Sequence, residues 1–395
     1  MITTGSGSVW KAGVMGEGGG TRLAITGFGL ITPVGANAWQ SAASMRAGIV
    51  RFHEYERVLV DDDPDGLERC GATVAHAPVE LEMAGAERAA AMLAPALSES
   101  LRLSRLPADR QVHAHWWLDS LIEGPADSDS LIERLRRHGV PVPVDVPAGG
   151  DGPGELRHCR VFETLIQAAE RLQQGPASVA IIGCADSLST SPALEGLRNA
   201  DRLKSGSRPE GIIPGEAAGA LIVETESHAR ERGARIYAYL TSWGSAQEPN
   251  PWTGTTPSKA EGLTRAFHQA LEGLEDRGEA IGLVIADLNG ERPRALEWAL
   301  SEQRVFPPAP QLADGRPAAG GAARRLWRPG DHIGDCGGAT GAVQLAWAAI
   351  AMAVGYARTG QVALVTSDEA GARRVVCLAK ADTVDSYRHI LDLIG

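Results

Sequence analysis

The sequence predicts an α/β fold built from two similar βαβαβ-type halves, on two observations. Apolar, β-branched runs alternate with stretches of helical spacing along most of the chain, and this alternation runs through twice, with a break near Gly233. Strands alternating with helices imply a mostly parallel, helix-covered sheet. The chain has 395 residues, 44% of them hydrophobic, enough for two core-bearing halves. The division expected is 21–232 and 233–395. Residues 1–20, rich in Gly, Ser and Thr, read as a flexible leader without the basic start and apolar core of a secretory signal.

In the first half, Arg22 to Gly29 is a β-branched strand ending in glycines, and Trp39 to Ala47 and Ala84 to Leu103 are helices. Val140 to Val146 alternates Val and Pro, which resists helix and predicts an extended segment; the polar loop Ala148 to Gly154 follows. Leu156 to Gln174 is a helix with Phe162, Leu165, Ile166, Ala169 and Leu172 on one stripe. Ser178 to Cys184 and Ala217 to Glu224 are strands, and Ser227 to Arg232 is helical. The second half reads as strand Arg235 to Gly244, helix Ser258 to Leu274, strand Ile281 to Asp287, helix Ala295 to Glu302, helix Gly337 to Val354, and strands Gln361 to Ser367 and Arg373 to Lys380. Pro307 to Gly321, rich in Pro, Gly and Ala, reads as a surface loop.

Composition narrows the function. A formal net charge of -11 is repelled by nucleic acid and by anionic membrane. The best apolar run, Leu345 to Val354, is too short to span a bilayer. The cysteines, Cys70, Cys159, Cys184, Cys336 and Cys377, form no CxxC pair, which suits reduced thiols in a cytoplasm better than a disulfide framework or a zinc site. No cofactor and no metal is expected.

Four segments together resemble the β-ketoacyl synthases, a branch of the thiolase-like proteins. Ile25 to Gly35 (ITGFGLITPVG), with Arg46-Ala47-Gly48 after it, is similar to their opening strand and turn. Ser178 to Asp186 (SVAIIGCAD) resembles a later strand, and Gly211 to Glu224 (GIIPGEAAGALIVE) resembles the glycine-glutamate turn and the strand after it. Gly334 to Ala342 (GDCGGATGA) resembles the turn that carries the second catalytic histidine. The resemblance implies a five-layered α/β/α/β/α unit, with Leu156 to Gln174 and Gly337 to Val354 in the central layer. It makes Gly215, Glu216, Gly219, Gly334 and Gly341 structural turn residues. Gly215 and Gly219 leave room for backbone to approach backbone around Glu216, which reads as a buried anchor.

The family's chemistry needs a cysteine at a helix N-terminus, where the dipole favours thiolate, and two histidines that stabilise a developing enolate. Carried onto this sequence, the nucleophile position falls on His158, with Cys159 one residue on. The histidine positions fall on Asp287 and Asp335, with His332 three residues upstream of the latter. One residue on a helix is about a 100° rotation, which turns Cys159 away from the pocket. Two carboxylates would repel an enolate, so His158, Asp287 and Asp335 argue against condensation. A histidine between two carboxylates is biased towards its charged form. Three readings of the set stay open: a hydrogen-bonded structural remnant, a binding site or a weak metal site.

For function, the leading reading is a non-condensing ketosynthase-like protein. It would act as a binding, assembly or accessory partner, possible contexts being a bacterial biosynthetic or type VI secretion locus. It would be a homodimer or a heterodimer with another ketosynthase-like or accessory protein, with acyl carrier protein as a further partner. The dimer edge falls on Val140 to Val146, where Pro141 and Pro143 remove ladder donors. The alternatives are an active β-ketoacyl-[acyl-carrier-protein] synthase using Cys159, and another acyl-transfer or hydrolytic activity using His158 with the aspartates.

Overall fold

The structure, a computed structural model, describes residues 13–14, 22–61, 65, 67–106, 114–120, 122, 128–143, 158–272, 274, 281–306 and 324–381. The expected loops Ala148 to Gly154 and Pro307 to Gly321 lie outside the described residues, as does nearly all of 1–20. In chain order the elements begin β1 (Gly13–Val14), β2 (Leu23–Ile31), α1 (Ala38–Arg46), β3 (His53–Asp61), β4 (Arg69–Val74), α2 (Gly85–Ser104), β5 (Ala114–Ser120) and α3 (Ser128–Arg137). There follow α4 (Arg160–Gln174), β6 (Val179–Ser187), α5 (Ser191–Asn199), β7 (Glu216–Thr225), α6 (Glu226–Glu231), β8 (Ala238–Gln247) and α7 (Glu261–Glu272). The chain continues with β9 (Ile281–Ala286), α8 (Arg292–Val305), β10 (Arg325–Trp327), α9 (Gly330–Ile333), a 3-10 turn (Gly337–Ala339), α10 (Thr340–Val354), β11 (Gln361–Ser367) and β12 (Ala372–Lys380).

The strands order as β10-β9-β11-β12-β8-β2-β7-β6-β5, with β1 on β8 and with β3–β4 as a separate hairpin. The segment β2-β7-β6-β5 and the segment β8-β12-β11-β9 repeat one arrangement. In each, the outer pair is parallel and the other two pairs are antiparallel. The expectation of a mostly parallel sheet is therefore corrected to a mixed one. Strand–helix alternation reports which segments are strands, not which become neighbours. A tight turn at Asp368–Gly371, with Gly371 at φ 108° and its N–H on Asp368 O, makes β11–β12 a hairpin and so antiparallel.

β2 and β8 pair only at Leu23↔Leu240, Ala24↔Tyr239 and Ile25↔Ala238. Beyond this seam the two sheet segments enclose α4 and α10. One core joins Leu30, Ile182 and Leu221 from the first segment to Leu283, Leu364 and Val376 from the second, through Phe162 and Leu165 of α4 and Leu345 and Ile350 of α10. The outer faces are covered by α2 and α3 on one side (Leu93, Leu97, Leu135 against Ile181 and Ile222) and by α7 and α8 on the other (Phe267, Trp298 against Val284 and Val365). The result is the five-layered α/β/α/β/α unit.

Burial in the central layer follows composition. α10 is apolar around its whole circumference and is buried from Thr340 to Ala353, whereas α4 buries one stripe and keeps polar residues such as Gln167 and Gln173 exposed. The stretch Gly337–Val354 is long and apolar enough to cross a membrane, which corrects the shorter run read from sequence, but it is 94% buried and forms the central core helix. At Val140 to Val146 the described residues 140–143 form no ladder. Val140 and Val142 pack into the outer core instead, and Arg136 binds the Val142 and Pro143 carbonyls. The edge strand beside β6 is Ala114–Ser120, which sequence reading missed.

Two glycines mark the repeat in atomic terms. A Cβ on Gly29 would overlap the carbonyl oxygen of Ala96 in α2, and one on Gly244 would overlap that of Ala266 in α7. The outer helices lie directly on the sheet at these points. We expect Gly244→Ala to lower unfolding free energy by about 1–3 kcal/mol or more through overpacking. Gly196→Ala should be neutral or stabilising by up to about 1 kcal/mol, because it lies in α5 with nothing within 4 Å of its Cβ. Urea denaturation of the two variants checks this, and equal effects would refute it.

Candidate functional site

The site is assembled where the central helices begin. His158 and Cys159 form the turn that enters α4, with Cys159 as N-cap. Asp287 follows β9, Asp335 lies between α9 and the 3-10 turn, and Arg294 is in the first turn of α8. The Asp335 loop is sewn onto the glycine-glutamate turn: Asp335 N donates to Ile213 O at 2.8 Å and Gly215 N donates to Asp335 O at 2.8 Å. Gly215 has no side chain because a Cβ would overlap Ile333 O, and Gly334 turns at φ 73° with Ile213 O 2.7 Å from the Cβ position. Gly219 faces Ala342 of α10, with 2.5 Å between the two Cβ positions. Gly341 lets α4 close on α10, a Cβ there lying 3.0 Å from Val161 and 3.1 Å from Phe162.

Glu216 is fully buried and engaged on both oxygens. Arg88 grips it at 2.5 and 2.8 Å, Ser187 Oγ donates at 2.8 Å and Ala77 N at 2.7 Å. Burial alone would push its carboxyl up, but Arg88 and these donors hold it below the usual value.

The structure brings His158, Asp287 and Asp335 into one buried network around Arg294. His158 Nε2 lies 2.7 Å from Asp335 Oδ1, and an Arg294 guanidinium N–H reaches His158 Nδ1 at 3.0 Å. Arg294 also donates to Asp287 Oδ2 at 2.6 Å and to Ser367 O at 2.8 Å, while Ser367 N donates to Asp287 at 2.7 Å. The second Asp335 oxygen accepts from Asn289 Nδ2 at 2.7 Å, and Gly337 N donates to the first at 2.9 Å. Because a guanidinium only donates, Nδ1 is the acceptor and Nε2–H donates to Asp335. Burial and Arg294 oppose the charged imidazole, yet Asp335 carries the His158 pKa above its ordinary value. Burial works against the Asp335 carboxylate, but His158 and Arg294 hold it well below the usual range. Burial pushes Asp287 up, against the pull of Arg294. Asp186, accepting from Ser187 N and Gly338 N at 2.7 Å each, is raised by burial to about 7.

Cys159 is outside this network. Its thiol is fully buried and donates to the carbonyls of Thr366 and Ala372, both at 3.4 Å. Burial pushes it up to about 12, the reverse of an activated thiol. The neighbouring Arg160 is committed to Asp119. His332 is not brought to the network: it packs edge-on against Trp347, with ring centroids 6.2 Å apart. Sequence reading missed Arg294, Asn289 and Ser367. The signal for Arg294 was faint, an arginine seven residues beyond Asp287 at the start of a helix. Trp252 covers it, its ring 4.5 Å from the Arg294 guanidinium and 4.4 Å from that of Arg373. Among the described residues no group of three or more His, Cys, Asp or Glu is arranged to hold a metal ion. Arg294 supplies the positive charge between the two aspartates.

No protein-family model matches the sequence. The chain is similar to the 3-oxoacyl-[acyl-carrier-protein] synthase 2 of Staphylococcus aureus, 24% identical over 297 residues that cover 65% of this chain and 70% of the relative. Among solved structures it resembles the ishigamide ketosynthase/chain length factor, with a TM-score of 0.69 at 19% identity over 92% of this chain and 100% of that one. It also resembles a type II polyketide synthase acyl-carrier protein in complex with its ketosynthase, with a TM-score of 0.70 at 13% identity over 92% and 100% of the two chains. At such identities the structures establish the fold, which is that of the thiolase-like ketosynthases. The sequence likeness to a 3-oxoacyl-[acyl-carrier-protein] synthase points the same way.

Proposed function

We propose that this protein is a non-condensing ketosynthase-like subunit that works as a binding, assembly or accessory partner in the cytoplasm. The supporting observation is the filled site. Where condensation requires a thiolate and two histidine donors, His158, Asp335, Arg294 and Asp287 satisfy one another in a buried network. The thiol beside His158 in sequence, Cys159, is hydrogen-bonded to the β11–β12 hairpin and held protonated. Transition-state groups that act as a unit are lost non-additively, so without the nucleophile the remaining positions have little to act on. A ketosynthase/chain length factor and an acyl-carrier protein with its ketosynthase stand among the structural neighbours. A second ketosynthase-like chain and an acyl carrier protein are accordingly the partners to test. A gene neighbourhood holding an active ketosynthase and a carrier protein supports an assembly subunit; secretion genes support an accessory role.

The deciding experiment is intact-protein mass spectrometry after incubation with acyl- and malonyl-carrier protein, run beside Cys159→Ala. We expect no covalent acyl adduct and no turnover of malonyl thioester in either protein. An adduct that vanishes in Cys159→Ala, with turnover, would make the chain an active 3-oxoacyl-[acyl-carrier-protein] synthase.

A further inference from the structure

Outside the network just described, the β3–β4 hairpin carries a pair of histidines at its open end. His53 is the first residue of β3 and pairs in register with Val74, so His76, two residues beyond Val74, is its diagonal neighbour across the strands. The rings lie 5.0 Å apart, and His53 Nε2 faces His76 Nδ1 at 2.9 Å. His76 is half-buried and His53 exposed, so the space beside the two nitrogens opens to solvent.

We propose that His53 and His76 chelate a divalent transition-metal ion such as Zn²⁺ or Ni²⁺ through His53 Nε2 and His76 Nδ1, with water completing the coordination. Two features support this. First, two metal–nitrogen bonds of about 2.0–2.1 Å meeting near a right angle span about 2.9 Å, and a tetrahedral angle opens this to roughly 3.3 Å, within reach of a small side-chain rotation. Second, the other ring nitrogen of His76 faces the carbonyl of Ser189 at 3.4 Å. A carbonyl only accepts, so Nε2 carries the hydrogen and Nδ1 presents its lone pair towards His53, the arrangement that a backbone carbonyl imposes on a metal-bound imidazole. Glu216 is committed to Arg88, Ser187 and Ala77, which leaves solvent to fill the remaining positions. A bound ion would staple the base of the hairpin, where Ala75 N donates to Pro214 O, onto the loop before α5 that carries Ser189.

The test is isothermal titration of chelator-stripped, tag-free protein with ZnCl₂ and with NiCl₂. One saturable equivalent is expected, weakened at least tenfold in His53→Ala and in His76→Ala, absent in the double variant and unchanged in His268→Ala. Circular dichroism must first show each variant folded. If His76→Ala fails to fold, the Cu²⁺-loaded wild-type protein decides by electron paramagnetic resonance, which should show coupling to two imidazole nitrogens. No saturable binding up to millimolar metal, undiminished binding in the double variant, or coupling to fewer than two imidazoles would each overturn the proposal.

Discussion

Replacing Arg294 by methionine is expected to cost about 3–5 kcal/mol of folding stability, the range for removing one partner of a buried ion pair. The guanidinium contacts both Asp287 and His158, and it also satisfies Ser367 O. Methionine preserves much of the volume and the contact with Trp252 but leaves the buried Asp287 carboxylate with only the Ser367 N–H among the donors described and takes the guanidinium from the Ser367 carbonyl. Arg294→Lys should recover only part of the loss, because an ammonium does not span Asp287 and His158 as a planar fork does. Urea denaturation at pH 7 measures both. A cost of Arg294→Met below about 1 kcal/mol, the range of exposed pairs, would mean that water reaches the site and the network is not closed. Combining Arg294→Met with Asp287→Leu should cost less than the sum of the two single changes, since the second removes the charge that the first strands.

Stability should peak at mildly acidic pH and fall between pH 5 and pH 7.5. Glu99 of α2 is buried; its Oε2 accepts from Leu30 N at 3.1 Å and Ala38 N at 2.9 Å, and its Oε1 shares the Ala38 N–H at 3.2 Å. Burial raises it from 4.5 to about 7, and Asp186 is raised from 3.8 to about 7 for the same reason. Between the unfolded and folded values the native state keeps a proton that the unfolded chain has released. Stability from these groups is therefore full below about pH 4 and is lost as pH rises to 7, up to roughly 3 kcal/mol for Glu99 and roughly 4 kcal/mol for Asp186. Asp335, held low, has the opposite sign: its contribution is present above about pH 4 and is lost on further acidification. Glu99→Gln can keep both backbone bonds and should flatten the decline while raising stability at pH 7.5. Urea melts of wild type and variant at pH 5, 6 and 7.5 check this, and a wild-type stability that is level or rising across that range would refute it.

The sequence was most informative where elements are buried and regular. Gln361 to Ser367 was read to the residue because a central strand is a near-continuous apolar run, and the helix end at Val354 because an apolar stretch interrupted only by Thr340 and Gln344 stops there. The β3–β4 hairpin was missed because HEYERVLVD is largely exposed and its polar residues mask the period-two pattern. β5 was missed because AHWWLDS is short and carries His, Asp and Ser at an edge. At the site, spacing placed His158, Asp287 and Asp335 on elements that do meet, since strand ends and helix starts are set by local chemistry. Arg294 was not legible, because whether an arginine in a helical first turn faces solvent or core depends on the tertiary partners waiting for it. The predicted upward bias on His158 holds in direction, but a guanidinium that the sequence did not reveal opposes it.

The two central helices start at the same place. α4 begins just after His158, and α10 begins after the 3-10 turn whose Gly337 and Gly338 amides bind Asp335 and Asp186. Both positive helix ends thus converge on one point, a field that gathers anions. The chain fills that field with its own carboxylates, so it carries an internal substitute for any oxyanion that a substrate would bring. A lone His158→Cys exchange would place a thiol at the start of α4 but strip Asp335 and Arg294 of their shared partner, so the variant should lose stability.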